Sequence, residues 1–235
     1  MTHKETEFGN RANSITKRRY VSITLFSLDS EPERWKVYAT HFLRRLDAVV
    51  FPAEWTVILY HDAHVSTRFI EAVRQRVPLE TRNMTGHPIE KAPACWRFLV
   101  HDEPNTEFYY CMDTDSAFYK VDLNNMTKLD DVRVDGVVGR PTWYLGDEGE
   151  TSKINAGGFG LRPSRFSFSM LQLLLSYARE KSASDCSAYF FDEKFLHHIV
   201  APHIESHENV VYTTRYNVGM CGAKARLVEK YRGCT

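Results

Sequence analysis

A chain of 235 residues with 43% hydrophobic content is long enough to build one sizeable core, or one core with an appended lobe. Thirty basic residues balance thirty acidic ones, which argues against a general nucleic-acid binder, and no apolar run approaches the length needed to cross a membrane. The five cysteines include no CxxC pair, so a disulfide framework or structural zinc site is not expected, and a reducing, cytoplasmic setting is the default.

Residues 1–18 carry few apolar groups and none of the apolar segment of a signal peptide, so they read as a flexible tail. The remainder, 19–235, reads as one domain with two functional halves, about 19–115 and 116–235. "YVSITLFSL" (20–28) is a nearly all-apolar strand. Asp29, Ser30 and Glu31 then open a helix with Trp35, Tyr38, Ala39, Phe42 and Leu46 at helical spacing. "WTVILYHD" (55–62) is a second buried strand, residues 66–77 a helix, and 77–84 a third strand. "CWRFLVHD" (95–102) reads as a helix leading into a strand over 107–112. Strands alternating with helices imply an α/β fold with a parallel sheet covered on both faces.

The second half is less regular. Residues 135–144 read as a strand and turn, 145–153 as an exposed loop, and "INAGGFGL" (154–161) as a glycine-interrupted strand. A helix is expected over 165–180 and another from 190, with a closing strand in "NVVYTTRYNVG" (209–219).

The chemistry concentrates where the strand "FYYCM" runs into Asp113 and Asp115. Ligands of open α/β sheets bind beyond the carboxyl ends of the strands. Alternate residues of an extended segment point the same way, so the two carboxylates can converge on one hard cation, Mn²⁺ or Mg²⁺, that also takes phosphate oxygens. A DxD is also common as a solvated turn. A haloacid-dehalogenase-type phosphohydrolase places DxD after a strand too, but usually the first, whereas here three probable strands precede it.

"FYYCMDTDSAFY" resembles the DxD strand of the retaining GT-A glycosyltransferases that include the blood-group A and B transferases and α1,3-galactosyltransferases. "DEGETSKINAGGFG" is similar to that family's acidic-glycine loop and small-residue strand, and "FFDEKFLHHIV" to its Asp-Glu helix start. The matches fall in order across residues 95–200, and the compact pattern resembles small virus-encoded members. The resemblance implies a Rossmann-like, mostly parallel sheet flanked by helices, with a mixed C-terminal half. It also implies a metal-dependent transfer of a sugar from a UDP-sugar to a glycan or other hydroxyl acceptor, with retention of configuration.

On that resemblance Asp113 and Asp115 hold the metal on the donor diphosphate. Arg97 corresponds loosely to a basic residue that neutralises the donor; its alternative is a helix-surface arginine. Phe26 or Tyr60 is the candidate to stack on uracil, the other being ordinary core, and backbone groups at Ser27 read the base edge. Asn155, Ala156, Gly157 and Gly158 are small where a strand prefers bulk, so a sugar can approach the backbone there; a ligand-free bulge is the alternative. Asp192 would bind donor-sugar hydroxyls and Glu193 would face the anomeric carbon, although carboxylates are favoured at a helix N-terminus in any case. His197, His198, His203 and His207 are too irregular for a metal-ligand spacing. Lys224 and Arg226, in 221–233, are candidates to close over the diphosphate. The competing functions are a DxD phosphohydrolase, a sugar-nucleotide pyrophosphorylase, or a non-catalytic nucleotide- or glycan-binding module.

Overall fold

The structure, a computed structural model, describes residues 17–28, 31–114, 120–140, 152–188 and 190–214. Its strands are β1 (Arg18–Leu25), β2 (Trp55–His61), β3 (Leu79–Asn83), β4 (Thr106–Met112), β5 (Gly136–Arg140), β6 (Gly158–Leu161) and β7 (Val210–Thr214). They form one sheet in the order β3-β2-β1-β4-β6-β5-β7. The first four run parallel; β6 lies antiparallel between β4 and β5, and β5 pairs β7 in parallel. The expected parallel first half and mixed second half are both present.

Side chains alternate between two cores, as a pleated strand requires. Val21, Ile23 and Leu25 share one face with Val57, Leu59, Phe108, Tyr110 and Met112. Helices α1 (Arg34–Leu46) and α2 (Thr67–Arg74) cover that face through Trp35, Phe42, Phe69 and Val73. Tyr20, Ile58, Tyr60, Tyr109 and Cys111 face the other way, against Trp96, Phe98, Leu174, Phe195 and Leu196. Helix α1 starts later than the sequence suggests. Leu28 and Glu31 form a short bridge, Pro32 follows, and Asp29 and Ser30 lie outside the described residues.

The helix expected over 95–102 is a ten-residue 3₁₀ segment, Pro93–Asp102. Such a length is uncommon, because 3₁₀ hydrogen bonds are poorer than α ones. The sheet beneath supplies the missing partners. Ser22 Oγ donates to the Arg97 carbonyl at 2.6 Å, and Thr24 Oγ1 to that of Pro93 at 3.1 Å. Its last residue, Asp102, accepts from the backbone N–H groups of Met170 (3.1 Å) and Leu171 (2.7 Å) and from Ser169 Oγ (3.0 Å). Together with the Ser169 hydroxyl, which caps the helix by accepting from the Gln172 N–H at 3.3 Å, this acceptor fixes the start of α4 (Met170–Ala178), so residues 166–169 stay outside the helix expected over 165–180. Phe166 and Phe168 are thereby free to pack around His101.

His101 gives this core a pH-dependent stability. Its ring is buried, stacks on Phe168 at 4.5 Å, and sits 3.2 Å from the Tyr109 hydroxyl through Nδ1. Burial pulls the imidazole down from 6.5 to about 4, only partly opposed by Asp102. A base held below its unfolded value contributes full stability above about pH 6.5. That contribution falls away toward pH 4, because the unfolded chain takes up the proton first; the loss is about 3 kcal/mol. Urea unfolding at pH 7 and pH 4.5 should show it, and His101→Phe should lose this part of the difference.

Helix α3 (Lys120–Lys128) precedes β5. The short helix α5 (Ala183–Ser187) was not anticipated, although Ser182 and Asp185 form a complete capping box. The expected helix from residue 190 is three pieces: α6 (Phe191–Phe195), a π-helical turn (Leu196–Val200) and α7 (Ala201–Glu205). Among the described residues no helix is long and apolar enough to cross a membrane.

Candidate active site

The carboxyl ends of β1, β2 and β4 lie at one edge of the sheet. Because β6 runs the opposite way, its start joins them, with Gly158 opposite Met112. Asp113 follows immediately. Asn155 Oδ1 accepts from the Gly157 backbone N–H at 2.8 Å, and the Asn155 N–H donates to the Gly139 carbonyl at 2.7 Å. This turn presses Gly157 against the Asp113 carboxylate. A Cβ at Gly157 would overlap Asp113 Oδ2 and Cγ, so no side chain fits there while Asp113 keeps its place. The small-residue stretch therefore seats a carboxylate.

Arg97 joins the parts. It is not a surface residue: 4% exposed, it reaches up from the 3₁₀ segment between β4 and α6. One terminal nitrogen lies 3.0 Å from Asp113 Oδ1 and the other 2.6 Å from Asp192 Oδ2, while Nε donates to the Ala156 carbonyl at 3.2 Å. Burial alone would lower the guanidinium's pKa, but Asp113 and Asp192 hold it above its ordinary value. The Asp192 carboxyl is nonetheless raised, because burial, with Asp113 adding to it, outweighs the attraction of Arg97. Two carboxylates thus share one guanidinium, and that of Asp113 is a quarter exposed (27%), where a cation could reach it.

Helix α6 delivers Asp192 and Glu193. It starts from Phe190 at φ 66°, a left-handed conformation uncommon for an aromatic residue. Glu193 is buried, and its backbone N–H donates to Asp192 Oδ1 at 3.0 Å.

At the neighbouring strand ends, Phe26 is half-buried. It lies edge-on to Trp96, with ring centroids 6.1 Å apart, and the Arg34 guanidinium sits 5.6 Å from its ring. Tyr60 is the core member of the aromatic pair: 2% exposed, its hydroxyl donates to Glu103 Oε1 at 3.2 Å, which leaves no ring face for a base. The Ser27 N–H is already taken by Asp62 Oδ2 at 2.5 Å, and Ser27 Oγ donates to the Pro32 carbonyl at 2.8 Å. Contact with a base edge at Ser27 is thus left to its carbonyl. Asp62, which closes the second buried strand, also accepts from the His64 N–H through Oδ1 at 2.9 Å.

Asp115 lies outside the described residues, as do residues 141–151, which include most of the loop expected over 145–153, and residues 221–233 with Lys224 and Arg226. Among the described residues no group of three or more His, Cys, Asp and Glu is gathered to hold a metal. His203 packs on Phe168 and His207 on Phe166, at 5.2 and 4.4 Å between centroids. The hard carboxylate oxygens of Asp113 fit a divalent ion of the Mg²⁺ or Mn²⁺ kind.

No protein-family profile matches the chain, and no curated protein does. Among solved structures it resembles S. aureus TarS with a TM-score of 0.50 at 15% identity, over 85% of this chain and 35% of that one. Mouse xyloside xylosyltransferase 1 gives 0.46 at 14% identity, over 85% and 84% of the two chains. The 4-diphosphocytidyl-2C-methyl-D-erythritol synthase of Anaerococcus prevotii gives 0.49 at 9% identity, over 93% and 97%. The chain spans 60% of TarS 1–349, a form crystallised with UDP. At these identities the likeness is one of fold, the GT-A type of α/β sheet expected from the sequence.

Proposed function

We propose that the chain is a metal-dependent glycosyltransferase that moves a sugar from a UDP-sugar to a hydroxyl of a glycan or similar acceptor, retaining its configuration. The observation that carries this reading is the Arg97 bridge between Asp113 and Asp192, closed by the Ala156 carbonyl at the carboxyl edge of the sheet. It supports a single site in which diphosphate-binding and sugar-binding carboxylates are held in fixed relation. The fold shared with TarS, crystallised with UDP in its 1–349 form, agrees with a uridine donor.

Each residue then has a task. Phe26 and the Ser27 carbonyl bind the base. Asp113, with Asp115, would hold Mn²⁺ or Mg²⁺, which when bound supplies Lewis-acid stabilisation of the leaving diphosphate. Asp192 accepts hydrogen bonds from donor-sugar hydroxyls, and the Asn155–Gly157 turn serves the donor indirectly, by seating Asp113 and holding Arg97 through the Ala156 carbonyl. Glu193, buried one residue along, presents negative charge to the anomeric carbon as it gains oxocarbenium character.

Titration of UDP with and without Mn²⁺ tests the reading. Binding should be weak without the ion and tight with it, and the ion-dependent part should vanish in Asp115→Ala while the melting temperature stays put. Identical titration curves for this variant and the parent would defeat the metal assignment.

A further inference from the structure

We infer that His197 is a positioning residue for Glu193, an inference that rests on the glycosyltransferase reading. His197 lies four residues after Glu193, within the π-helical turn 196–200. A π turn places side chains where an α turn would not, and such turns recur at functional sites. The His197 ring is buried, and its Nδ1 accepts from the Lys153 backbone N–H at 3.2 Å. Accepting that bond requires an unprotonated Nδ1, so the neutral ring carries its proton on Nε2.

The bond reaches the site by a short path. Lys153 leads through Ile154 and Asn155 to Ala156, whose carbonyl takes Arg97 Nε, and to Gly157, which seats Asp113. Arg97 returns to Asp192 at 2.6 Å. The circuit is closed: Asp192, Arg97, Ala156, Lys153, His197, and back along the helix to Asp192. Glu193 stands between the two anchors of that helix, Asp192 and His197. The Lys153 side chain is also tied, its Nζ lying 3.1 Å from Glu205 Oε2 of α7. His197 ties the helix carrying Glu193 to the start of the 153–157 segment, as Arg97 ties it to the Ala156 carbonyl near the end. A displacement of ~1 Å at a reacting group can cost about 10²-fold in rate.

Two variants separate this role from simple satisfaction of a buried amide. His197→Asn keeps an acceptor where Nδ1 stands, whereas His197→Leu keeps bulk and removes the acceptor. UDP release from the donor, UDP affinity with Mn²⁺, and hydrogen exchange at the Lys153 amide are measured on both. In His197→Leu, kcat should fall about tenfold or more with UDP affinity within about twofold of the parent, and the Lys153 amide should exchange faster. His197→Asn should restore both the protection and most of the rate. Equal rates in the two variants, or an unchanged rate in His197→Leu, overturn the inference. If His197→Leu does not fold, His197→Gln, whose acceptor falls at the Nε2 position, replaces it with the same expectations. A wild-type protein that releases no nucleotide from any nucleotide sugar defeats the glycosyltransferase reading and this role with it. Failure of the role alone leaves wild-type turnover intact.

Discussion

Arg97→Gln is expected to destabilise the fold by about 3–5 kcal/mol, the usual cost of removing one partner from a buried ion pair. The guanidinium side chain is 5% exposed and is shared by Asp113 and Asp192. Glutamine fills part of the space but takes away the guanidinium that the two carboxylates share. One of them must then take up a proton or turn outward. Pairing the change with Asp192→Asn should recover part of the loss, because one of the two anions is gone, and non-additivity of that kind measures the coupling. Urea unfolding of the two single variants and the double variant reads it. A loss below about 1 kcal/mol in Arg97→Gln, the scale of an ordinary surface change, would show that the bridge does not hold the site together.

Glu193→Gln should leave UDP affinity and melting temperature near the parent values and lower kcat by at least ~10²-fold. The substitution preserves size and hydrogen-bonding capacity and deletes only the charge. An interaction made only in the transition state, once removed, lowers kcat without weakening ground-state binding. Asp192→Asn should instead blunt the discrimination between donor sugars that differ at one hydroxyl, since a site group is left poorly paired. If the two carboxylates merely favour a helix start, both variants lose about 1 kcal/mol of stability and keep their turnover.

The parallel half of the sheet was legible because β1, β2 and β4 are near-continuous apolar runs with turn signals between them, as strands buried on both faces should be. Residues 93–102 were harder. Their spacing suits a helix, but only the sheet hydroxyls of Ser22 and Thr24, distant in sequence, make the tighter 3₁₀ form tenable. The capping of α4 by Asp102 was equally hidden, since the two are separated by 67 residues at the Ser169–Asp102 bond. At the site, Asp113, Gly157 and Asp192 were named from the motifs that carry the family resemblance, and the fold brings the three together around Arg97. That Arg97 is the buried link among them could not be read from local pattern, because a lone arginine on an apolar stretch looks the same whether it faces solvent or two aspartates. Tyr60 and Phe26 were indistinguishable for a like reason: both close apolar strands, and only the packing of the folded core buries the Tyr60 ring while leaving that of Phe26 partly exposed.

The most direct test of the central claim is to incubate the protein with a panel of nucleotide sugars, with Mn²⁺ and with the ion chelated, and to identify the released species. Release of UDP from at least one UDP-sugar is expected, dependent on the divalent ion and lost in Glu193→Gln. Release of inorganic phosphate or of a nucleoside monophosphate, or Mn²⁺-independent release of UDP, would contradict it.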